Sequence, residues 1–460
     1  MAQAAKRAGS RKSVTAANLE ALGAERLAAV LMDVAEDDPG LKRRLRMELA
    51  IEVGAGDLAV EIAKRLASFE SRRSRIHWRK YKAFVRDLDL QRAMILGPLA
   101  VLDARMALDL LWRFLALAEG VFEQTDDARG EVEAVFRGAA EAAGGLAAAA
   151  KPEASALADS VVALLERDRE RVLDGLVASI APALDAMSLT ALRTALLTAS
   201  AGRARPAPAL RVALQTVADV LGDVDGYIAT LSEAEARASV VGAQIARRLL
   251  GAGRVKEAMA ALAVSTPSSR AKEMGADGAA DWEEAQIDVL EADGQADFAQ
   301  ELRWASFERT LNAGRLRAYL KRLADFDDVE AEERALAHAQ SFDRFGTALR
   351  FFTEWSAAGA CARLVLTRTA EIDVGDVEGL EAAVRLLEAR HPLAASLLLR
   401  ALIADTLRWA RVDRYKAAQR QLAELASLAV GVEDWGEAEA PADFLRRMAQ
   451  FRRTGVAMPA

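Results

Sequence analysis

Apolar residues along this chain recur every three or four positions, the period of a helix that buries one face. Leu19, Leu22, Leu27, Val30 and Leu31 fall close to that spacing, and Ile62, Leu66 and Phe69 continue it. Leu108, Leu111, Trp112 and Leu115 make another such stripe. Thr15 opens the first helix, because its side chain can accept a backbone N–H that the first turn leaves unpaired. Pro39 and Gly40 break that helix, and Gly54 to Asp57 end the next. From about residue 156 onward, helical segments alternate with short breaks such as GAGR, EADGQ, NAGR, SAAGA and EARHP. The breaks recur too closely for strand–helix–strand units and suit short antiparallel helices joined by tight turns. The pattern predicts an all-α chain.

One small motif returns. It reads GRVKEAMAAL at 253–262, GRLRAYLKRL at 314–323 and DRYKAAQRQL at 413–422. Gly253 and Gly314 are expected in the turn, where a residue without a Cβ adopts positive φ. Ala258 is small and lets the second helix approach its partner, and Leu262 fills the space one turn later. Leu323 repeats Leu262, while Tyr319 replaces Ala258. Ala418 and Leu422 fit the third copy, with Asp413 in the place of the glycine. The motif resembles the second half of a tetratricopeptide repeat (TPR), over single helix pairs and not as a regular array. That resemblance implies an irregular α-solenoid of TPR-like antiparallel helix pairs. The expected layout is a disordered basic tail over 1–14 and an N-terminal helical domain over 15–137. An Ala/Gly-rich joint follows over 138–156, then a TPR-like helical-repeat domain over 157–430 and a C-terminal tail over 431–460.

Composition agrees with helices. The 460 residues are 52% hydrophobic but only 5% aromatic, and alanine, leucine, arginine and glutamate dominate. The net charge of −7 hides an asymmetry. Residues 1–100 hold 19 Lys/Arg against 13 Asp/Glu, about +6, and the rest hold 42 against 55, about −13. The basic end suits an acidic partner. A single cysteine, Cys361, makes no internal disulfide and fits a reducing cytosol. The basic opening MAQAAKRAGSRKS is followed by no apolar run, so no secretory leader is expected, and no apolar stretch is long enough for a membrane span.

Chemical equipment is sparse. His77, His338 and His391 are far apart and in no metal-ligand spacing, and no phosphate-binding glycine loop or nucleophile elbow is present. Acidic clusters at 125–131 and 325–333 read as helix starts that favour the positive end of the helix dipole. The sharpest candidate is RRSRIHWRKYKAFVR, residues 72–86. Arg72, Arg73, Arg75, Arg79, Lys80, Lys82 and Arg86 interleave with Trp78, Tyr81 and Phe84, without an acid between them. Arginines on phosphate with aromatics stacked on bases hold single strands. The same aromatics also make an ordinary core stripe, whose charges then form a solvated face. Docking to an acidic protein surface is the third reading of this stretch.

Three longer stretches carry a wider resemblance: TAANLEALGAERLAAVLMDVAEDDPGLKRRLRMELA, WRFLALAEGVFEQTDDARGEVEAVFRGA and HPLAASLLLRALIADTLRWARVDRYKAAQRQLAE. Together they resemble an uncharacterised, all-helical bacterial family of unknown function, similar to the helical region of SWIM-type zinc finger proteins. The resemblance spans about residues 15 to 436. It implies a helical-repeat fold in a bacterial cytoplasm, and it transfers no catalytic residue. The SWIM-type cysteine and histidine ligands are absent, so no zinc and no other cofactor is expected. The expected function is a non-enzymatic helical-repeat scaffold holding a protein or peptide partner in its groove. The alternative is a nucleic-acid-associated protein working through 72–86. An enzyme, with a site assembled from residues distant in sequence, is the third reading.

Overall fold

The computed structural model describes residues 13–202, 207–268, 278–409 and 411–453, and among them every regular element is a helix. The chain divides into two compact units, Met1–Ser232 and Glu233–Ala460. Residues 1–12, on which most of the basic-tail expectation falls, lie outside the described residues.

The first unit contains α1 (Ala16–Glu20), α2 (Ala24–Asp37), α3 (Pro39–Val53), α4 (Ala55–Glu70), α5 (Trp78–Met94), α6 (Ala100–Leu102) and α7 (Ala104–Leu115). Then follow α8 (Ala118–Gln124), α9 (Glu131–Ala150), α10 (Ala154–Arg167), α11 (Leu176–Ile180), α12 (Ala186–Ser200), α13 (Pro208–Leu221) and α14 (Val224–Ile228). Local chemistry sets the starts. The side chains of Asp38, Asp103 and Asp185 accept N–H groups in the first turns of α3, α7 and α12. Between α5 and α6 a π-helical turn, Ile95–Leu99, accommodates Pro98, which has no N–H to give.

The core of this unit gathers around α9. Leu58, Ile62 and Leu66 of α4, Leu108, Leu111 and Phe114 of α7, and Val132, Phe136, Ala139 and Ala143 of α9 are all buried in it. α9 packs against α5, α7 and α11. The Ala/Gly-rich stretch read as a joint therefore differs in the structure: residues 131–150 are one continuous helix. Its small residues serve close packing. A Cβ on Gly144 would lie 2.0 Å from the Ser179 carbonyl oxygen. Ser179 Oγ instead accepts from the Gly144 N–H at 2.9 Å and donates to the Glu141 carbonyl at 2.6 Å. The helix ends at Lys151, which takes a left-handed φ of 47°.

The second unit contains α15 (Glu233–Ala236), α16 (Ser239–Gly251), α17 (Val255–Val264), α18 (Ala279–Ala292), α19 (Ala296–Thr310), α20 (Ala313–Leu320) and α21 (Asp327–Gln340). It continues with α22 (Phe345–Glu354), α23 (Ala358–Thr367), α24 (Val377–Leu387), α25 (Pro392–Arg408), α26 (Tyr415–Ala429) and α27 (Pro441–Arg453). Each helix from α15 to α25 packs on the next, and α16, α21, α22, α23 and α25 also touch the next but one. The main core runs from Phe307 to Met448.

The repeated motif is only partly matched by geometry. Gly253 turns between α16 and α17 with φ of 73°, and Ala258 and Leu262 are buried as the pattern requires. Gly314 instead lies inside α20. There Leu311 takes the left-handed position with φ of 50°, and the Asn312 side chain caps α20 by accepting from the Arg315 N–H at 3.0 Å. The asparagine cap starts the helix before the glycine is reached. Consequently Leu323 falls beyond the end of α20 and is only half-buried. In the third copy a short 3-10 turn, Val412–Arg414, precedes α26, where Ala418 is buried and Leu422 half-buried against the core. The segment read as a C-terminal tail also differs: Pro441–Arg453 is helical, and Phe444 and Met448 are buried in the core.

Candidate functional site

The stretch 72–86 spans the connection after α4 and the first half of α5. His77 caps α5, its Nδ1 accepting from the Arg79 N–H at 3.3 Å. The structure separates the candidate residues into two sets. Arg72 is half-buried, with its guanidinium 6.0 Å from the Phe84 ring centre and its carbonyl accepting from Gln124 at 3.1 Å. Tyr81 is half-buried and its hydroxyl donates to the Asp127 carboxylate. Burial and that carboxylate both push the Tyr81 phenol up. Phe84 is buried edge-on against Phe69. Phe84 belongs to the core and Tyr81 packs against it, with Arg72 beside the Phe84 ring, so Tyr81 and Phe84 but not Trp78 follow the core stripe.

The second set faces water. Arg73, Arg75, Arg79, Lys80, Lys82 and Arg86 are exposed, and Trp78 is 73% exposed with the Arg79 guanidinium 5.1 Å from its ring. Arg73 Nη1 donates to the Glu70 carbonyl at 2.9 Å, closing the end of α4. Among the described residues none of these six cations is ion-paired. The first turn of α5 holds no acid. Arg79, Lys80 and Lys82 therefore crowd the positive end of the helix dipole, where anions are favoured and cations are not. Of the three interleaved aromatics, only Trp78 is placed to stack on anything.

A second candidate lies in the second unit, where α18, α19 and α20 enclose a cleft of 510 Å³. Its walls are charged. Glu283 is buried and accepts from Ser306 Oγ at 2.8 Å and from Arg309. Arg303, also buried, pairs with Glu291 at 2.6 Å, and Arg315 pairs with Glu284 at 3.0 Å. Asp288 is half-buried and has no hydrogen bond or ion pair among the described residues. Burial and the neighbouring Glu284 raise its pKa. The cleft thus presents one half-buried carboxylate that no described residue pairs with, amid paired charges.

The remaining candidates have structural roles. His338 Nε2 donates to the Glu308 carbonyl at 2.9 Å, and His391 precedes Pro392 at the start of α25. Cys361 is buried, which pushes its thiol up to about 12. The acid at Asp127 accepts the Val132 and Glu133 N–H groups at the start of α9, and α21 opens on Asp327 and Asp328. Among the described residues no cluster of His, Cys, Asp or Glu is arranged to hold a metal ion. Among them too, no helix is long and apolar enough to cross a membrane.

Sequence reading missed the cleft. Its signal was present: Ala299, Arg303, Ser306 and Phe307 share the buried face of α19, so a charge stood on an apolar stripe. Among comparisons with known proteins, a model for a family of unknown function, DUF6880, matches residues 9–209 and 200–455. No curated protein and no solved structure matches the chain.

Proposed function

The chain belongs to DUF6880, a family of unknown function, and on that premise we propose a non-enzymatic interaction scaffold, an irregular α-solenoid of TPR-like antiparallel helix pairs holding a protein or peptide partner in a groove. The reading draws support from the chain-order packing of α15 to α26, since stacked helix pairs contact their neighbours along the sequence. The observation that carries it is the cleft between α18, α19 and α20 with Asp288 in its wall and without a partner among the described residues. A lysine or arginine of a bound peptide supplies the charge-assisted hydrogen bonds that Asp288 lacks. The proposed setting is a bacterial cytoplasm, which a lone buried thiol suits. Arrays of basic, neutral and acidic peptides, probed with the full chain and with its Asp288→Arg variant, test the reading. Retention of basic peptides that the variant loses supports it. Equal retention by both proteins, or none by either, sinks it.

A second reading is favoured by the exposed cations of 72–86: a nucleic-acid-associated protein, to which the resemblance to the SWIM-type helical region also belongs. Six exposed cations without an ion pair among the described residues, three of them at the positive end of α5 with Trp78 beside them, suit phosphates and a stacked base. Binding of a labelled single strand should weaken steeply with added salt and in the Arg75→Glu, Arg79→Glu double variant. Binding indifferent to both rules this surface out.

A further inference from the structure

In the second unit a cavity of 660 Å³ opens between α25 and the segment that leads into α27. Its apolar wall includes Ile372, Leu393, Leu397, Ala401, Trp435 and Phe444. Arg400 of α25 forms part of the same wall and is only 6% exposed. Its guanidinium carbon lies 4.5 Å from the Trp435 ring centre and 5.2 Å from that of Phe444. A single hydrogen bond satisfies it, from Nη1 to the Glu439 carbonyl at 2.5 Å. Nε and Nη2 are shielded from solvent and have no hydrogen-bond partner among the described residues.

This arginine is unlike the other buried ones. Arg303 and Arg315 are each paired with a carboxylate. The carboxylate nearest in sequence to the Arg400 contact, that of Glu439, is taken by Arg447 at 2.8 Å. Burial and the Arg447 charge lower the Arg400 pKa, while Glu439 opposes them. The faces of two rings offset part of the desolvation, but ring faces accept no hydrogen bond along the Nε–Nη2 edge. That edge is the fork with which arginine grips a carboxylate.

We propose that this cavity binds a carboxylate carried on an apolar body, with Arg400 as its anchor. The two carboxylate oxygens accept from Nε and Nη2, and the apolar body lies along Leu397, Ala401 and the indole of Trp435. A monoanion fits better than a phosphate dianion, because Arg447 is already neutralised by Glu439 and one guanidinium balances one charge. The Trp435 ring and the Glu439 carbonyl both lie against Arg400, and one carbonyl alone hydrogen-bonds that segment to it, so in the proposed complex this segment shifts to admit the carboxylate to Nε and Nη2. The volume lies within the range of small-molecule sites. A free organic acid and a peptide C-terminus share this chemistry.

Calorimetric titration of the full chain tests the assignment, with octanoate and N-acetyl-leucine as probes for the two sources. Octanol and N-acetyl-leucinamide share their bodies without the charge. At least one acid should bind, its uncharged counterpart should bind about tenfold more weakly or not at all, and Arg400→Met should cost a similar factor. Arg400→Lys keeps the charge without the fork and should also weaken binding, which covers the case of a Met variant that does not fold. Ala401→Trp, which fills the cavity and leaves Arg400 in place, should abolish binding. The acid that binds identifies the source. Failure of both acids to bind, or binding that is equal for the uncharged counterparts or survives both Arg400 substitutions, overturns the assignment.

Discussion

The two units are built from the same kind of helix and assembled on different principles. In the first, α9 is a buried hub, touched by α5, α7 and α11, which come from both sides of it in sequence. In the second, neighbours along the chain are neighbours in space from α15 to α26. The seams differ as well. Around α9 they are apolar and small-residue, whereas between α18, α19 and α20 they carry Glu283, Arg303 and Arg315 inside. A helical period in the sequence therefore says which face is buried but not which helix covers it.

The sharpest way to break the comparison is to cut the hub. Phe136→Ala, at a fully buried ring in the first unit, should cost about 3–5 kcal/mol in denaturant unfolding. A loss below 1 kcal/mol would mean that α9 is not the centre of that core. Gly144→Ala forces a Cβ into the backbone at Ser179 and should cost about 2–3 kcal/mol, although alanine favours helices everywhere else. A gain in stability there would remove the close approach from the account.

In the second unit the charged seam is the test. Glu283→Gln leaves Arg309 without its buried carboxylate and should cost about 2–3 kcal/mol, somewhat reduced because Arg309 is partly exposed. The motif copies give a finer contrast. Gly253→Ala must hold a side chain at a φ of 73° and should cost about 1 kcal/mol. Gly314→Ala, inside α20, should stay within about 0.5 kcal/mol of neutral, its added helix propensity set against contact with Asn312. Equal losses at both glycines would restore the equivalence that the structure denies.

The smallest effect is a pH dependence at Asp288. Its raised pKa means that folding disfavours the ionised carboxylate, so the penalty is present above the folded pKa and absent below the ordinary aspartate value of 3.8. Asp288→Asn should therefore raise the melting temperature at neutral pH. The gain should fade as pH falls through the raised pKa and vanish below the ordinary one. A gain that persists in acid would assign the effect to packing and not to charge.

Much of the fold was legible in the apolar stripes. Ile62, Leu66 and Phe69, and Leu108, Leu111 and Leu115, all lie buried as their spacing requires, whereas Leu19, Leu22, Val30 and Leu31 of the first stripe are exposed, because α1 and α2 are separate helices that bury almost nothing. Residues 138–150 were not legible, because alanine and glycine write the same letters for a loose joint and for a close helix contact such as that of Gly144 with Ser179. The basic stretch was half legible: its cations lie on the surface, but the hydroxyl of Tyr81 reaches Asp127, 46 positions away, which no local pattern encodes. Arg400 was invisible for the same reason, since its rings and its one acceptor come from 35 to 44 residues further along.

What the sequence by itself determined is the helices and most of their inward faces, because burial period and cap chemistry act over three or four residues, although the stripe of Leu19, Leu22, Val30 and Leu31 is exposed. Only the tertiary structure decided which charges are neutralised. Pairing depends on which helices meet, and that brings Arg303 to Glu291 yet leaves Asp288 and Arg400 without a guanidinium or carboxyl partner among the described residues. These two groups without a charged partner are thus a property of packing, written in no short stretch of the chain.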